Sequence, residues 1–232
     1  MILGIDSTTE HLHLALVGQD QAWTRRVLVG PGFNHSNALL PTVDALMVEA
    51  GASPGQLRGV VACVGPGGFT ALRIGVATAE GLALTGLPTW GFSAFELRAQ
   101  ALRVAGVLRP HWILLDGQRQ EAFVQKWSGE GALSEGAKHP VADLPNLLAG
   151  APWWAPQPFR TRLEALLGAC PLDFPEEDRT TLEGLVALCR QRVLEVPESP
   201  LVPFYLRETD AEVNFPAASV HLSAALRQGV PR

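Results

Sequence analysis

The sequence predicts an α/β protein built of two subdomains, each a mixed β-sheet flanked by helices. Three observations lead there. Three short apolar runs follow one another at the start; a fully apolar run then meets a glycine-rich turn and an amphipathic helix; and a weaker strand–turn–strand pattern recurs after Arg109-Pro110. A length of 232 residues suits one long domain or two compact ones. The expected division is residues 1–106 for the first subdomain, 107–216 for a second, degenerate copy, and 217–232 for a C-terminal helix that returns to the first.

Residues 2–6, 11–17 and 22–29 read as strands, with Leu12, Leu14 and Leu16 alternating against small or polar neighbours. Ser7-Thr8-Thr9-Glu10 and Gly18-Gln19-Asp20 are the turns of an antiparallel meander. Leu39, Leu40, Val43, Leu46, Met47 and Ala50 then recur at helical spacing, and Gly51 is placed to end that helix. Ser36 is a candidate N-cap, and Pro41 either kinks the helix or marks its start. Val60-Val61-Ala62-Cys63-Val64 is a buried strand, followed by a turn, a helix over 70–84, a short strand at Thr89-Trp90, and a helix capped by Ser93 that runs to Val104. The order β-β-β-α-β-α-β-α is the ribonuclease-H-like plan. In the second half, 111–115 and 121–127 read as a hairpin around Asp116-Gly117, with a loop over 128–136 and helices at 159–167 and 182–193.

Composition narrows the function class. At 47% hydrophobic and 18% charged the chain is an ordinary globular protein. A net charge of −5, without a long basic run, disfavours autonomous binding to a phosphate backbone. Apolar stretches such as Trp112-Ile113-Leu114-Leu115 are too short to cross a bilayer, and Met1 leads into Ile2-Leu3-Gly4-Ile5 without a basic segment, so no membrane contact and a cytoplasmic location are expected. Cys63, Cys170 and Cys189 are odd in number and far apart, suggesting neither a disulfide framework nor a zinc site.

Several features could carry chemistry. A strand entering Gly65-Pro66-Gly67-Gly68 and leaving into a helix lets backbone N–H groups approach an anion, with Thr70 and Arg73 nearby. The turn lacks a P-loop lysine, and a tight strand-to-helix connection is the alternative. On the helix that follows, Ala71, Gly75 and Ala79 stand four apart with Thr78 beside them, a stripe that permits close helix approach within the subunit or between subunits. Asp6-Ser7-Thr8 ends the first strand where a magnesium-bound nucleotide could be held through water, although a structural aspartate closing the hairpin fits equally well. No His-x-x-x-His pair, Gly-x-Ser-x-Gly elbow or Cys–His arrangement is present, so neither a catalytic constellation nor a metal site is expected. His11 and His13 share a strand face without a third ligand, and the tryptophans lack the interleaved basic residues of a stacking platform.

Beyond these readings, Gly65-Pro66-Gly67-Gly68-Phe69-Thr70-Ala71-Leu72-Arg73-Ile74-Gly75 resembles the glycine-rich signature of the TsaB (YeaZ-type) family, non-catalytic paralogues of TsaD, with Gly68 in place of serine and Ala71 in place of glycine. Ile5-Asp6-Ser7-Thr8, His35-Ser36 with Leu39-Leu40-Pro41, and Pro203-Phe204-Tyr205-Leu206-Arg207 are similar to further elements of that family. The resemblance implies an actin-like (ASKHA) fold and a scaffold role in making threonylcarbamoyladenosine beside the anticodon of tRNAs. Its implied partners are a TsaD-type catalytic paralogue, a TsaE-type ATPase and, when alone, a second copy, with tRNA engaged only through the complex. No cofactor is implied for this subunit; ATP and metal are expected on the partners. Pairing through the first two helices implies an interface involving Leu39, Val43, Leu46, Ala71, Gly75, Thr78 and Ala79. The competing readings are a small-molecule kinase of the same superfamily and, more remotely, a peptidase.

Overall fold

The structure is a computed structural model that describes residues 1–29, 34–172 and 177–206. Its first sheet opens with strands β1 (Ile2–Asp6), β2 (His11–Val17) and β3 (Ala22–Leu28), antiparallel neighbours as the alternating pattern predicts. Helix α1 (His35–Glu49) precedes β4 (Gly59–Gly65), helix α2 (Phe69–Ala83) follows it, and β5 (Thr89–Ser93) leads into α3 (Ala94–Val104). β4 lies parallel to both β1 and β5, giving the order β3-β2-β1-β4-β5.

Local chemistry sets the helix ends. Ser93 caps α3 by accepting the Glu96 N–H at 3.0 Å. The cap of α1 is Asn34, not Ser36: the Asn34 side chain accepts the Asn37 N–H at 3.0 Å, and Ser36 turns its hydroxyl back onto that carbonyl oxygen. Pro41 lies inside α1, on its exposed side, where water can satisfy the carbonyl that loses its helical donor. Gly51, at φ +61°, closes α1 in a Schellman motif, with its N–H on the Val48 carbonyl and that of Ala52 on Met47.

The second sheet contains β6 (His111–Gln118), β7 (Glu121–Ser128), β8 (Gly131–Ala132), β9 (Ala137–Pro140) and β10 (Trp153–Trp154), in the order β10-β6-β7-β8 with β9 also on β7. Helices α4 (Leu144–Leu148) and α5 (Phe159–Leu167) cover one face, burying Leu114, Val124, Leu144, Trp153, Phe159 and Leu163. The last described helix, α6 (Glu177–Arg192), packs on α3 and across β1, β2 and β3. Residues 177–206, expected in the second subdomain, thus lie against the first sheet; residues 207–216 and the helix expected at 217–232 lie outside the described residues.

Alternation along β1 and β2 divides the first sheet's side chains between two cores. Leu3, Ile5, Leu12, Leu14 and Leu16 pack under α1 and α2. On the opposite face Ala15, Val61 and Phe92 meet α3, α6 and the second sheet. Asp6 and His13, paired across the β1–β2 hairpin, point to this second face. No described helix is long and apolar enough to cross a membrane.

Candidate functional site

Two turns meet at the C-terminal ends of β1 and β4. The glycine turn is packed directly on the β1–β2 turn: a Cβ on Gly67 would lie 2.5 Å from the Thr8 Cβ, and the Gly68 N–H donates to the Thr8 carbonyl at 2.9 Å. Gly65 has φ +112°, and a Cβ there would strike the Phe204 carbonyl at 2.5 Å. Gly68 is different, since its nearest neighbours would stand at 3.6 and 3.8 Å, so a side chain fits at this position. The turn is thus closed largely by the protein's own backbone, and the Gly68 donor expected to meet an anion is already satisfied.

Asp6 is fully buried beneath the two turns, with both carboxylate oxygens engaged. Oδ1 accepts the Thr8 N–H at 3.0 Å and the Thr8 hydroxyl at 2.6 Å, while Oδ2 accepts from Arg98 Nη1 at 2.9 Å and lies 3.5 Å from His13 Nδ1. Burial alone would push this carboxyl up. The Arg98 guanidinium, with help from His13 and Thr8, overrides it and holds Asp6 well below the usual carboxylate range. Nearby, burial lowers His35, against the Thr9 carbonyl and the Asp6 charge that would raise it. Burial also raises the thiols: Cys63 stands well above its ordinary value and Cys189 is pushed up to about 12, so neither offers a thiolate nucleophile.

A cleft of about 1220 Å³ opens above these residues, between the two halves. One wall is formed by Thr8 to His11, Arg26 and the turn from Pro66 to Thr70; Asp116, Gln118 and the Pro156–Phe159 region face it, and Phe204, Tyr205 and Leu206 close one side. Arg26 contacts His11 at the rim, 2.6 Å between ring and guanidinium nitrogens. Arg162 holds Asp116 at 2.7 Å, tying the hairpin tip to α5. Among the described residues no group of three ligating side chains is placed to hold a metal ion.

The structure brings Asp6, Ser7, Thr8, Gly65, Gly67 and Gly68 together, but Asp6, Ser7 and Thr8 are 0%, 1% and 4% exposed and serve internal bonds, including Ser7 Oγ to the Ala71 carbonyl at 2.8 Å. Arg73 points away from the turn's interior: its guanidinium lies 3.9 Å over the Phe69 ring and Nε donates to the Tyr205 hydroxyl. Thr70 is exposed on the cleft wall. The residues expected at a pairing face lie mostly inside the subunit. Leu39, Val43, Leu46, Gly75 and Ala79 are buried in the subunit's own core, and only Ala71 and Thr78 are partly exposed. The small-residue stripe lets α2 sit on the Ser7 turn, where a Cβ on Gly75 would meet Ser7 Oγ at 2.3 Å. The outward sides of α1 and α2 carry instead Leu40, Pro41, Ala45 and Val48, and Ala77, Gly81 and Leu84. Sequence reasoning missed Arg98. Its signal was present: Phe95, Arg98 and Leu102 stand at i, i+3 and i+7, which puts a cation on the apolar stripe of α3.

The profile of the family described as TsaD, tRNA N6-adenosine threonylcarbamoyltransferase, matches residues 32–162. The tRNA threonylcarbamoyladenosine biosynthesis protein TsaB of Bacillus subtilis (strain 168) is 29% identical over 136 residues, 58% of this chain and 58% of that protein. The protein of the same name from Escherichia coli (strain K12) is 36% identical over 110 residues, 47% of each. The chain thus spans about half the length of the curated relatives it matches. A crystal structure from Pseudomonas aeruginosa, described as an uncharacterized protein with similarity to peptidase YEAZ, superposes with a TM-score of 0.69 at 25% identity, covering 89% of this chain and 99% of that one. A structure of YeaZ from the same organism gives 0.68 at 23%, covering 88% and 99%. The fold is accordingly of the actin-like, ribonuclease-H-like type.

Proposed function

Because the chain belongs to the family of TsaD, tRNA N6-adenosine threonylcarbamoyltransferase, as a member of the TsaB/YeaZ type, we propose that it serves the biosynthesis of threonylcarbamoyladenosine in tRNA as a non-catalytic subunit. It binds a TsaD-type catalytic paralogue, supports docking of a TsaE-type ATPase on the pair, and pairs with a second copy when alone. The observation that carries this reading is the outward face of α1 and α2. Leu40 and Val48 of α1 and Leu84 at the C-cap of the adjacent α2 expose 53%, 81% and 90% of their surface, apolar side chains that a partner would cover. The commitment of Asp6 to Arg98 supports the non-catalytic part, since a carboxylate with both oxygens occupied is not free to act as base or ligand.

Such a subunit acts by stabilising a productive state of its partner through differential binding. Reconstitution is the test: threonylcarbamoyl transfer to tRNA should require the TsaD-type protein and should fall when this chain is omitted. Transfer by the purified chain alone would refute the reading. The cleft favours one other reading, a small-molecule or nucleotide-binding protein of the same fold, and calorimetry with ATP, ADP and magnesium separates the two, because tight, specific heat of binding would support that alternative.

A further inference from the structure

The segment that follows α6, residues 195–206, runs as a strap along the free edge of β5 and over the end of β4. Trp90 Nε1 donates to the Glu195 carbonyl at 3.1 Å, the Glu198 N–H to the Thr89 carbonyl at 2.7 Å, and the Phe204 N–H to the Val64 carbonyl at 2.6 Å. Leu201 and Tyr205 bind it to α2. The Leu201 N–H donates to Glu80 Oε1 at 2.8 Å, and the Tyr205 hydroxyl accepts from Arg73 Nε at 3.2 Å while its ring stands 5.0 Å from that of Phe69. Arg73 and Glu80 are seven residues apart, so the strap grips one side of α2 at points two turns from each other.

The same residues reach the cleft. Phe204, Tyr205 and Leu206 form part of its wall beside the glycine turn, and that turn is bonded to the β1–β2 turn through the Gly68 N–H and the Thr8 carbonyl. Leu201 is 4% exposed and anchors the strap in the first core, whereas Val202 is 73% and Tyr205 39% exposed. The distal end of the strap is held by the packing of Phe204 and Leu206 on the core behind the first sheet, by the Phe204 N–H bond to Val64 and by the hydroxyl and ring contacts of Tyr205; the contacts of the exposed Tyr205 can open without unfolding the sheet.

We propose that the strap is a latch that couples the cleft wall to the pose of α2, so that displacing Tyr205 loosens both the glycine turn and the helix that presents the docking face. This rests on the reading of the α1–α2 face as a docking surface. An occupant of that side of the cleft meets Tyr205, and Tyr205 holds Arg73 on α2; the two ends share one side chain. A partner that binds the latched pose of α2 gains affinity when the strap is engaged, and by linkage it favours the closed latch.

The experiment compares wild type with Tyr205→Ala and with Tyr205→Phe, which keeps the ring and loses only the hydroxyl. Hydrogen exchange of the free proteins is read at residues 66–76 and at the β1–β2 turn, with α5 as an internal reference, and association with the TsaD-type paralogue is measured by titration. Tyr205→Ala should speed exchange about tenfold at both sites and leave α5 unchanged, and should weaken association about fivefold; Tyr205→Phe should give a smaller change of the same pattern. Unchanged exchange at residues 66–76, or faster exchange there with the β1–β2 turn unaffected, overturns the latch. If wild type associates and Tyr205→Ala associates as tightly, the coupling to docking is wrong. If wild type does not associate at all, the docking reading itself fails, and the coupling that rests on it fails too.

Discussion

At the scale of single residues, Asp6 and Arg98 bury opposite charges 2.9 Å apart with both side chains at most 3% exposed. A buried pair of this kind contributes modest net stability, but removing one partner strands the other. Arg98→Met should cost about 3–5 kcal/mol in urea denaturation. The pH dependence follows from the same residues. Asp6 has a folded pKa below its unfolded value, so its contribution is complete above about pH 4 and is lost as pH falls from there. His35 is also lowered, which favours its neutral form in the fold, so its contribution is present above about pH 6.5 and declines as pH falls. The urea midpoint should therefore fall shallowly below pH 6.5 and steeply below pH 4, and Asp6→Asn should remove the steep limb. A steep limb that survives in Asp6→Asn would assign it to another carboxylate. Asp6 was legible in the sequence as the end of a strand, but its partner was not: Arg98 is 92 residues away, and only the parallel pairing of β1 and β4 with the turn into α3 brings them together.

At the scale of elements, what the sequence made legible and what it concealed follow physical lines. α2 and α3 were readable because each is a long amphipathic run with recognisable ends, β2 because Leu12, Leu14 and Leu16 alternate against small or polar neighbours, and β1 and β3 as short runs set off by turn residues on either side of it. β8, β9 and β10 were not, since strands of two to four residues carry no measurable period, nor was α4, whose five residues make less than two helical turns. The stripe of Ala71, Gly75 and Ala79 was legible as a device for close approach, but spacing does not say what approaches. The neighbour of Gly75 is the Ser7 turn of the same chain, so the docking face proposed above is the other side of the helix. The expected outcomes separate accordingly. Gly75→Val should destabilise the isolated protein by about 1–3 kcal/mol through overpacking. Leu84→Glu, at an exposed position on that outward face, should leave the thermal midpoint unchanged and weaken self-association about tenfold in sedimentation, because a charge would have to be buried at the interface. If Gly75→Val were silent in stability, or Leu84→Glu silent in sedimentation, the assignment of the two faces of α2 would be wrong.

At the scale of the whole molecule, the core that lies behind the first sheet does not stop at that sheet. Val61, Trp90 and Phe92 from the first sheet, Ile113, Leu115 and Phe123 from the second, and Leu185, Leu188 and Cys189 from α6 belong to one continuous cluster. α3 is the helix that touches both sheets, and the close seat of α6 on α3 and on the first sheet depends on two glycines: a Cβ on Gly184 would lie 2.9 Å from the Ala101 backbone nitrogen, and one on Gly4 would lie 2.6 Å from Cys189 Sγ. Two subdomains that share a core and a bridging helix should not unfold separately, because exposing either half removes the packing surface of the other. Calorimetry should thus show one transition whose calorimetric and van't Hoff enthalpies agree. Gly184→Val pushes a branched side chain toward the α3 backbone; overpacking of about 2 kcal/mol should lower the midpoint by roughly 4–8 °C while keeping a single peak. Two resolved transitions in wild type would show that the halves are thermodynamically independent despite their common core, and an unshifted midpoint in Gly184→Val would show that α6 can move away from α3 at little cost.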